Sequence, residues 1–257
     1  MDPVHSMPEP PPVAPPAPVT SLAGRLLNVI AAPGEVFEEI KAAPPRVANW
    51  LVPVLLFAVV GVISMCVMFA QPAILQTVRD QQAKAYDKMV QQGKMTQAQE
   101  DQILQFMGPT VLAVCGSIGI SFYSFVSIFG WALVLWLLGR WLLKTRLGYM
   151  KMVEVAGLSS LIIALSMVVG TLLCVIFGRL NAGLSLAMLV NDFDISNRVH
   201  LLLGAANVFN FWHVAVLAIG LAKLSGASMA RTAIVIFAYW VLAELLLIAA
   251  GLGQWAL

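Results

Sequence analysis

The amino-acid sequence predicts an all-α fold, a polytopic membrane helical bundle with five transmembrane helices. Hydrophobic residues make up 60% of the 257 residues. Charged residues make up only 11%, whereas an ordinary soluble domain carries about 25%. The apolar residues form five long runs, each near the length of about 20 residues that a helix needs to cross a bilayer. These observations exclude a soluble enzyme, a secreted disulfide scaffold and a disordered regulator.

The first 20 residues predict a disordered, Pro-rich tail, because they hold eight of the 14 prolines. Proline has no backbone N–H to donate, and it favours the polyproline II conformation over a helix. The spacing of Pro12 and Pro15 matches the P-x-x-P docking pattern. A solvated tether is the simpler interpretation of so short a pattern.

Residues 21–45 predict two short amphipathic helices that lie at the membrane surface or pack beneath the bundle. Ser21 is suited to cap the first helix. The apolar residues of this helix recur at helical spacing and are Leu22, Leu26 and Ile30. The second helix follows Pro33, and its apolar face is formed by Val36, Phe37 and Ile40.

Residues 46–257 predict the membrane domain. Its five transmembrane helices are expected at residues 50–70, 110–138, 155–178, 203–222 and 230–250. Asn49 is expected to cap the first of them. The polar stretch 71–108 predicts two short helices that are broken near Gly93. The apolar segment 184–190 is too short to cross a bilayer, so we expect it to lie in the interface.

The distribution of Lys and Arg predicts a cytoplasmic N-terminus and a C-terminus outside the membrane, because cytoplasmic loops carry an excess of these cations. Five spans place the two termini on opposite sides. The segments on the N-terminal side carry more of the cations, which are Arg25, Lys41, Arg46, Arg140, Lys144, Arg146, Lys151, Lys223 and Arg231. We therefore expect an integral multi-pass membrane protein, for which the lipid bilayer is the first partner.

Sequence patterns typical of enzymes are absent. The chain has no G-x-S-x-G, H-E-x-x-H, G-x-x-x-x-G-K-[ST] or G-x-G-x-x-G. Its three histidines are isolated, and its three cysteines lack C-x-x-C spacing, so neither a zinc site nor a disulfide framework is indicated. A net charge of +2 gives no indication of nucleic acid as a partner. We expect no enzymatic activity, no metal and no cofactor.

Four polar residues inside the last two spans are the candidate functional residues, because such groups are rare within a bilayer. They are Asn207, Asn210, His213 and Glu244. Glu244 lies about 21 Å along the fifth span, level with the two asparagines and not with His213. These residues either line a proton or substrate path or form interhelical hydrogen bonds worth about 0.6 kcal/mol each. Hydrogen bonding is the simpler interpretation, because one buried acid has no obvious relay.

Small residues recur on one face of the second and third spans, which is typical of close helix packing in membranes. They are Ser117, Ser121 and Ser124 in the second span, and Gly157, Ser160 and Ala164 in the third. The sequence leaves the oligomeric state open, including a homo-oligomer.

Two motifs point to a known family. The first motif is a P-x-x-x-F-x-x-I helix before the first span, followed by a Trp and a Pro at the start of that span. The second is a Phe-x-x-Trp in the fourth span, followed later by Ile-Gly-Leu. Their residues are Pro33, Phe37, Ile40, Trp50, Pro53, Phe209, Trp212 and Gly220. In these motifs the chain resembles the bacterial branch of the Yip family, the Rab-GTPase-interacting membrane proteins. The resemblance implies five spans, a cytoplasmic N-terminus and a bacterial cytoplasmic membrane.

The resemblance leaves two functions open. Eukaryotic members of the family act in vesicle traffic and carry an Asp-Leu-Tyr-Gly-Pro motif before the first span; its absence here argues against GTPase binding. The first hypothesis is a non-enzymatic scaffold or adaptor that binds other membrane or cytoplasmic proteins. The alternative is a transporter or permease component that uses the polar residues of the fourth and fifth spans. Five spans do not divide into the two repeats of many carriers, which favours the scaffold.

Overall fold

A computed structural model describes residues 20–252. The tail predicted for residues 1–20 therefore lies outside the described residues, except for Thr20. In the described part the regular secondary structure is helical, with ten α-helices and one 3₁₀ turn at Leu186–Leu189. The α-helices are α1 (Leu22–Ala31), α2 (Pro33–Ala42), α3 (Ala48–Phe69), α4 (Pro72–Gln91), α5 (Gln97–Phe106), α6 (Pro109–Trp141), α7 (Tyr149–Phe177), α8 (Arg198–Ala205), α9 (Val208–Ser225) and α10 (Met229–Ala249).

Five of these helices, α3, α6, α7, α9 and α10, are long and apolar enough to cross a membrane. The prediction of an all-α bundle with five spans is therefore confirmed. The first, second and fifth spans agree with their predicted bounds within three residues. The third span begins at Tyr149 instead of residue 155. Its extra first turns contain Lys151 and Glu154, which the helix accommodates because their charges lie 3.1 Å apart.

The fourth span corrects a sequence prediction. A single helix over 203–222 is wrong at its start, because the chain forms α8, breaks at Ala206 and Asn207, and only then begins α9. The Asn207 side chain accepts a hydrogen bond from the backbone N–H of Phe209 at 2.9 Å, which caps α9. The backbone of Val208 donates to the carbonyl of Leu184. These bonds use groups that a continuous helix would have bonded internally.

The polar stretch between the first two spans forms the two helices predicted for it, although α4 is 20 residues long. Gly93 lies in the turn between α4 and α5 with a φ of 68°. This left-handed conformation is one that glycine adopts without a steric penalty. The predicted break near Gly93 is confirmed.

Packing of the helices gives the molecule two distinct ends. α3 packs against α6 and α7, α9 packs against α7 and α10, and α2 lies across α9. We call the end that holds α1, α2 and the first turns of α3 and α7 the platform end. There, Lys223 near the end of α9 pairs with Glu38 of α2. We call the opposite end, which holds α4, α5 and α8, the distal end; Arg198 of α8 there bonds the carbonyl of Ala249 at the end of α10.

Candidate functional site

The two asparagines of the predicted intramembrane cluster serve the local backbone. Asn207 caps α9, as described above. Asn210 donates from Nδ2 to the backbone carbonyl of Ala205 at 3.2 Å. Both side chains therefore stabilise the break between α8 and α9, and their polar groups are used within a few residues of their own positions.

His213 and Glu244 have different surroundings. The His213 ring is buried and lies edge-to-face against Trp131 of α6, with ring centroids 5.7 Å apart. Glu244 is half-buried on α10, and its Oε2 atom is buried without a hydrogen-bond partner among residues 20–252. No hydrogen bond found between the described residues joins Glu244 to Asn207, Asn210 or His213.

A different polar cluster lies at the platform end, and we call it the Glu154 network: Arg25, Glu39, Asn49, Lys151 and Glu154. Its centre is the carboxylate of Glu154, of which only 1% of the surface is exposed. Oε1 accepts from Nδ2 of Asn49 at 2.7 Å and from the backbone N–H of Arg46 at 2.9 Å. Oε2 lies 3.1 Å from the Lys151 ammonium. A buried charge is tolerated only with such partners, because leaving it unpaired costs several kcal/mol.

Asn49 joins α3 to two other helices through both ends of its amide. While Nδ2 donates to Glu154 of α7, Oδ1 accepts from the Arg25 guanidinium of α1 at 3.3 Å. Arg25 also donates from Nε to Glu39 of α2 at 3.2 Å. The prediction that Asn49 caps α3 is therefore wrong. Val47 occupies the cap position without a side-chain bond, and Asn49 lies inside the helix, buried between neighbours.

Lys151 closes the Glu154 network. Its ammonium donates to the backbone carbonyls of Ile40 and Ala43, at the end of α2. The last carbonyls of a helix lack internal partners and attract cations, so Lys151 fastens the end of α2 to α7. The network contains two cations and two carboxylates, and it ties α1, α2, α3 and α7 into one unit.

The aromatic and glycine residues of the family motifs pack these same helices. A Cβ added at Gly220 of α9 would lie 2.4 Å from Cγ1 of Val155 and 3.2 Å from the ring of Phe37. A Cβ at Gly157 of α7 would lie 2.5 Å from Cα of Trp50. The predicted close packing at Gly157 is thereby confirmed. Glycine at these two positions allows α2 and α3 to approach the bundle closely.

The other motif residues are divided between the two ends. Pro33 begins α2, where its missing N–H costs nothing. Ile40 is a buried residue of α2, and Pro53 is a buried residue of α3. Phe209 and Trp212 stack at the distal start of α9, with centroids 6.1 Å apart.

The outward face of α1 carries no charge. Arg25 is the only charged residue of this helix, and it is buried with 3% of its surface exposed. Leu27 is 71% exposed, and Ala23, Asn28 and Ala31 are also exposed. A surface helix of a soluble protein normally turns its charges outward. α1 instead presents uncharged groups, mostly small or apolar, which is typical of a surface that contacts lipid or another protein.

Sequence reasoning missed the Glu154 network because the search for spans excluded charged residues and began the third span at Val155. Two features of the sequence nevertheless point to this network. Lys151 and Glu154 have opposite charges at a spacing of three, which places them side by side on a helix. Arg25 is the lone charge in an otherwise uncharged amphipathic segment. Their convergence with Asn49 depends on contacts between residues more than 100 positions apart.

Comparison with known proteins gives a family match. A family model described as the Yip1 domain matches residues 27–252. The match begins within α1 and includes α2 and all five spans. No curated protein and no solved structure matches the chain. Among residues 20–252, no group of three or more His, Cys, Asp or Glu side chains is placed to hold a metal ion.

Proposed function

Since the chain belongs to the Yip family of integral membrane proteins, we propose that it is a non-enzymatic scaffold or adaptor of the family's bacterial branch. It would bind another membrane or cytoplasmic protein on the outward face of α1. The single observation that carries this proposal is the uncharged outward face of α1, on a helix whose only charge is turned inward.

The Glu154 network supports the proposal by making α1 and α2 a rigid platform. A docking surface loses less entropy on binding when it is already held in place. Arg25 and Lys151 fix the two platform helices to α3 and α7, and Phe37 packs α2 against α9. A partner would therefore meet a preformed surface that is fastened to the membrane bundle.

The proposed orientation places the platform end in the cytoplasm. The cations that favour a cytoplasmic N-terminus include Arg25 and Lys151 of the platform end. They also include Arg231, at the start of α10, which donates to the carbonyl of Leu142 just after α6. In this orientation the partner is a cytoplasmic protein or the cytoplasmic part of a membrane protein.

Site-specific crosslinking tests the scaffold. A photoreactive residue replaces Leu27 at the platform end or Leu189 at the distal end, which are 71% and 80% exposed. We expect a discrete protein adduct from position 27. In a second set, Leu27→Glu should abolish co-purification of that same protein, whereas Leu189→Glu should retain it. Adducts to lipid alone at position 27, or equal loss with both Glu variants, would contradict the scaffold.

A transporter or permease component remains the second candidate, because Glu244, inside a span, holds a buried carboxylate oxygen that accepts no hydrogen bond from the described part of the chain. Functional complementation by Glu244→Leu separates the candidates. Unchanged complementation at normal membrane levels is expected for a scaffold. Loss of function with an intact platform partner would favour the transport path.

A further inference from the structure

The distal end contains an open cleft with a volume of about 630 Å³. One wall of the cleft is α4. The other wall is formed by the loop before α8 and the start of α8. Ile248 at the end of α10 and Gly251 just after it complete the lining. Its volume lies within the range of about 300–1,000 Å³ that is usual for small-molecule sites. None of the candidate residues of the fourth and fifth spans lines it.

Three cations line this cleft from two walls. Lys84 and Lys88 lie one turn apart on α4, and Arg198 faces them from α8. All three side chains are exposed. None of them is within ion-pair distance of a carboxylate among residues 20–252, where the three ion pairs involve other residues. One Arg198 nitrogen bonds the carbonyl of Ala249, which orients the guanidinium while leaving its other donors available.

Two carboxylates, those of Asp87 and Asp194, also line the cleft, and neither forms an ion pair with the three cations among residues 20–252. Oδ1 of Asp194 accepts from the backbone N–H of Ser196 at 2.7 Å. This bond lowers the pKa of Asp194, and the positive charge of Lys88 adds a smaller lowering. Asp87 lies beside Glu100 of α5, where burial and then the Asp87 carboxyl raise the pKa of Glu100. The lining of the cleft therefore carries three cations and two acids, an excess of positive charge that can attract an anion.

The cleft lining also has apolar residues. Among them, Leu201 of α8 and Ile248 of α10 are both buried. Ile248 is the penultimate residue of α10, a span, so the cleft opens where this span leaves the hydrocarbon core. Basic pockets beside spans at this depth are suited to phosphate head groups, and arginine and lysine are the side chains that bind phosphate oxygens.

We propose that the distal cleft binds the phosphate group of an anionic ligand through Lys84, Lys88 and Arg198. The phosphate belongs either to a phospholipid head group, whose chains would lie along α10, or to a soluble phosphate monoester. The site is at the opposite end of the molecule from the α1 surface, so it does not depend on the proposed scaffold role.

Binding to purified full-length protein tests the site. The probes are phosphatidylglycerol, phosphatidylcholine and glycerol 3-phosphate, added to the protein in a neutral detergent, with lipid retention measured by native mass spectrometry and affinity by titration. We expect phosphatidylglycerol to bind more tightly than phosphatidylcholine. Additional binding of glycerol 3-phosphate would identify a soluble phosphate as the source, whereas its absence would identify the lipid.

Matched variants place the binding in the cleft. Lys84→Gln with Lys88→Gln, and separately Arg198→Gln, should weaken binding about tenfold, which is the loss expected for a charge-assisted contact. Arg198→Lys should lose less. Lys94→Gln is the control, because Lys94 is exposed in the turn after α4 and does not line the cleft. Equal binding of both lipids without glycerol 3-phosphate binding would overturn the proposal. Equal weakening by Arg198→Gln and by the control Lys94→Gln would also overturn it.

Discussion

The two ends of the molecule use charge in opposite ways. At the platform end Arg25, Asn49 and Glu154 are almost completely buried, and each is bonded to a different helix. At the distal end Lys84, Lys88 and Arg198 are exposed and form no ion pair with the described residues. The polar groups of the platform end are buried and bonded to one another, so they stabilise the structure. The cations of the distal end remain available to a ligand.

The same contrast separates the two acids of the bundle. Glu154 has an amide, a backbone N–H and an ammonium around its carboxylate. Glu244 has a buried Oε2 atom without a hydrogen-bond partner among residues 20–252, and no ion pair of this carboxylate is found there. Oε2 of Glu154 also accepts no hydrogen bond from these residues, but it lies in an ion pair with Lys151. The two positions should therefore respond differently to the same substitution.

The largest effect is expected from Glu154→Gln. The variant places an amide N–H against the Lys151 ammonium in a buried site, so it should lower the free energy of unfolding by about 3 kcal/mol. The measurement is thermal unfolding in a fixed detergent. Glu244→Gln is the matched control, and we expect a change below about 1 kcal/mol, because Glu244 is only half-buried, no ion pair is found for it among the described residues, and Gln keeps an oxygen that can accept a hydrogen bond. Equal destabilisation by the two variants would remove the distinction between these acids.

A second prediction compares glycines that differ in their distance from a neighbouring helix. Gly157→Ala should destabilise the protein by about 2 kcal/mol, because its Cβ would meet the backbone of Trp50 at 2.5 Å and α3 would have to move. Unfolding in detergent again provides the measurement. Gly130→Ala is the control within α6, where no atom lies within 4 Å of the added Cβ. Similar midpoints for the two variants would contradict the close packing of α3 on α7.

The sequence was sufficient for the five spans because hydropathy is a local property, and it placed three of them within three residues. It was insufficient where the outcome depends on remote contacts. The break before α9 depends on two backbone hydrogen bonds, which Val208 donates to Leu184 and Leu186 donates to Ala206. The buried position of Glu154 depends on Asn49, which lies 105 residues away. The cleft cations were visible as charges, but their unpaired state is a property of the folded chain.

A third prediction tests how much the exposed ion pair at the platform end contributes to the stability of the protein. Glu38 and Lys223 form an ion pair at 3.1 Å, with about half of each side chain exposed. Exposed pairs contribute about 0–1 kcal/mol and weaken with salt. Glu38→Gln should therefore lower stability by less than 1 kcal/mol, and the difference should vanish in high salt. A loss as large as that of Glu154→Gln would show that burial does not set the strength of these contacts.

The smallest effect is expected at the distal end, from acidification of the loop before α8. The hydrogen bond from Ser196 lowers the pKa of Asp194 below its ordinary value of 3.8. The ionised form is therefore favoured in the folded loop. Its contribution to the stability of the folded protein is complete above pH 3.8 and is lost as the pH falls through the lowered pKa. The unfolding midpoint of wild type should exceed that of Asp194→Asn slightly at neutral pH, and the gap should close in this acidic range. A gap that widens on acidification would mean that the Asp194 carboxylate destabilises the folded loop, which would contradict the stabilising hydrogen bond from Ser196.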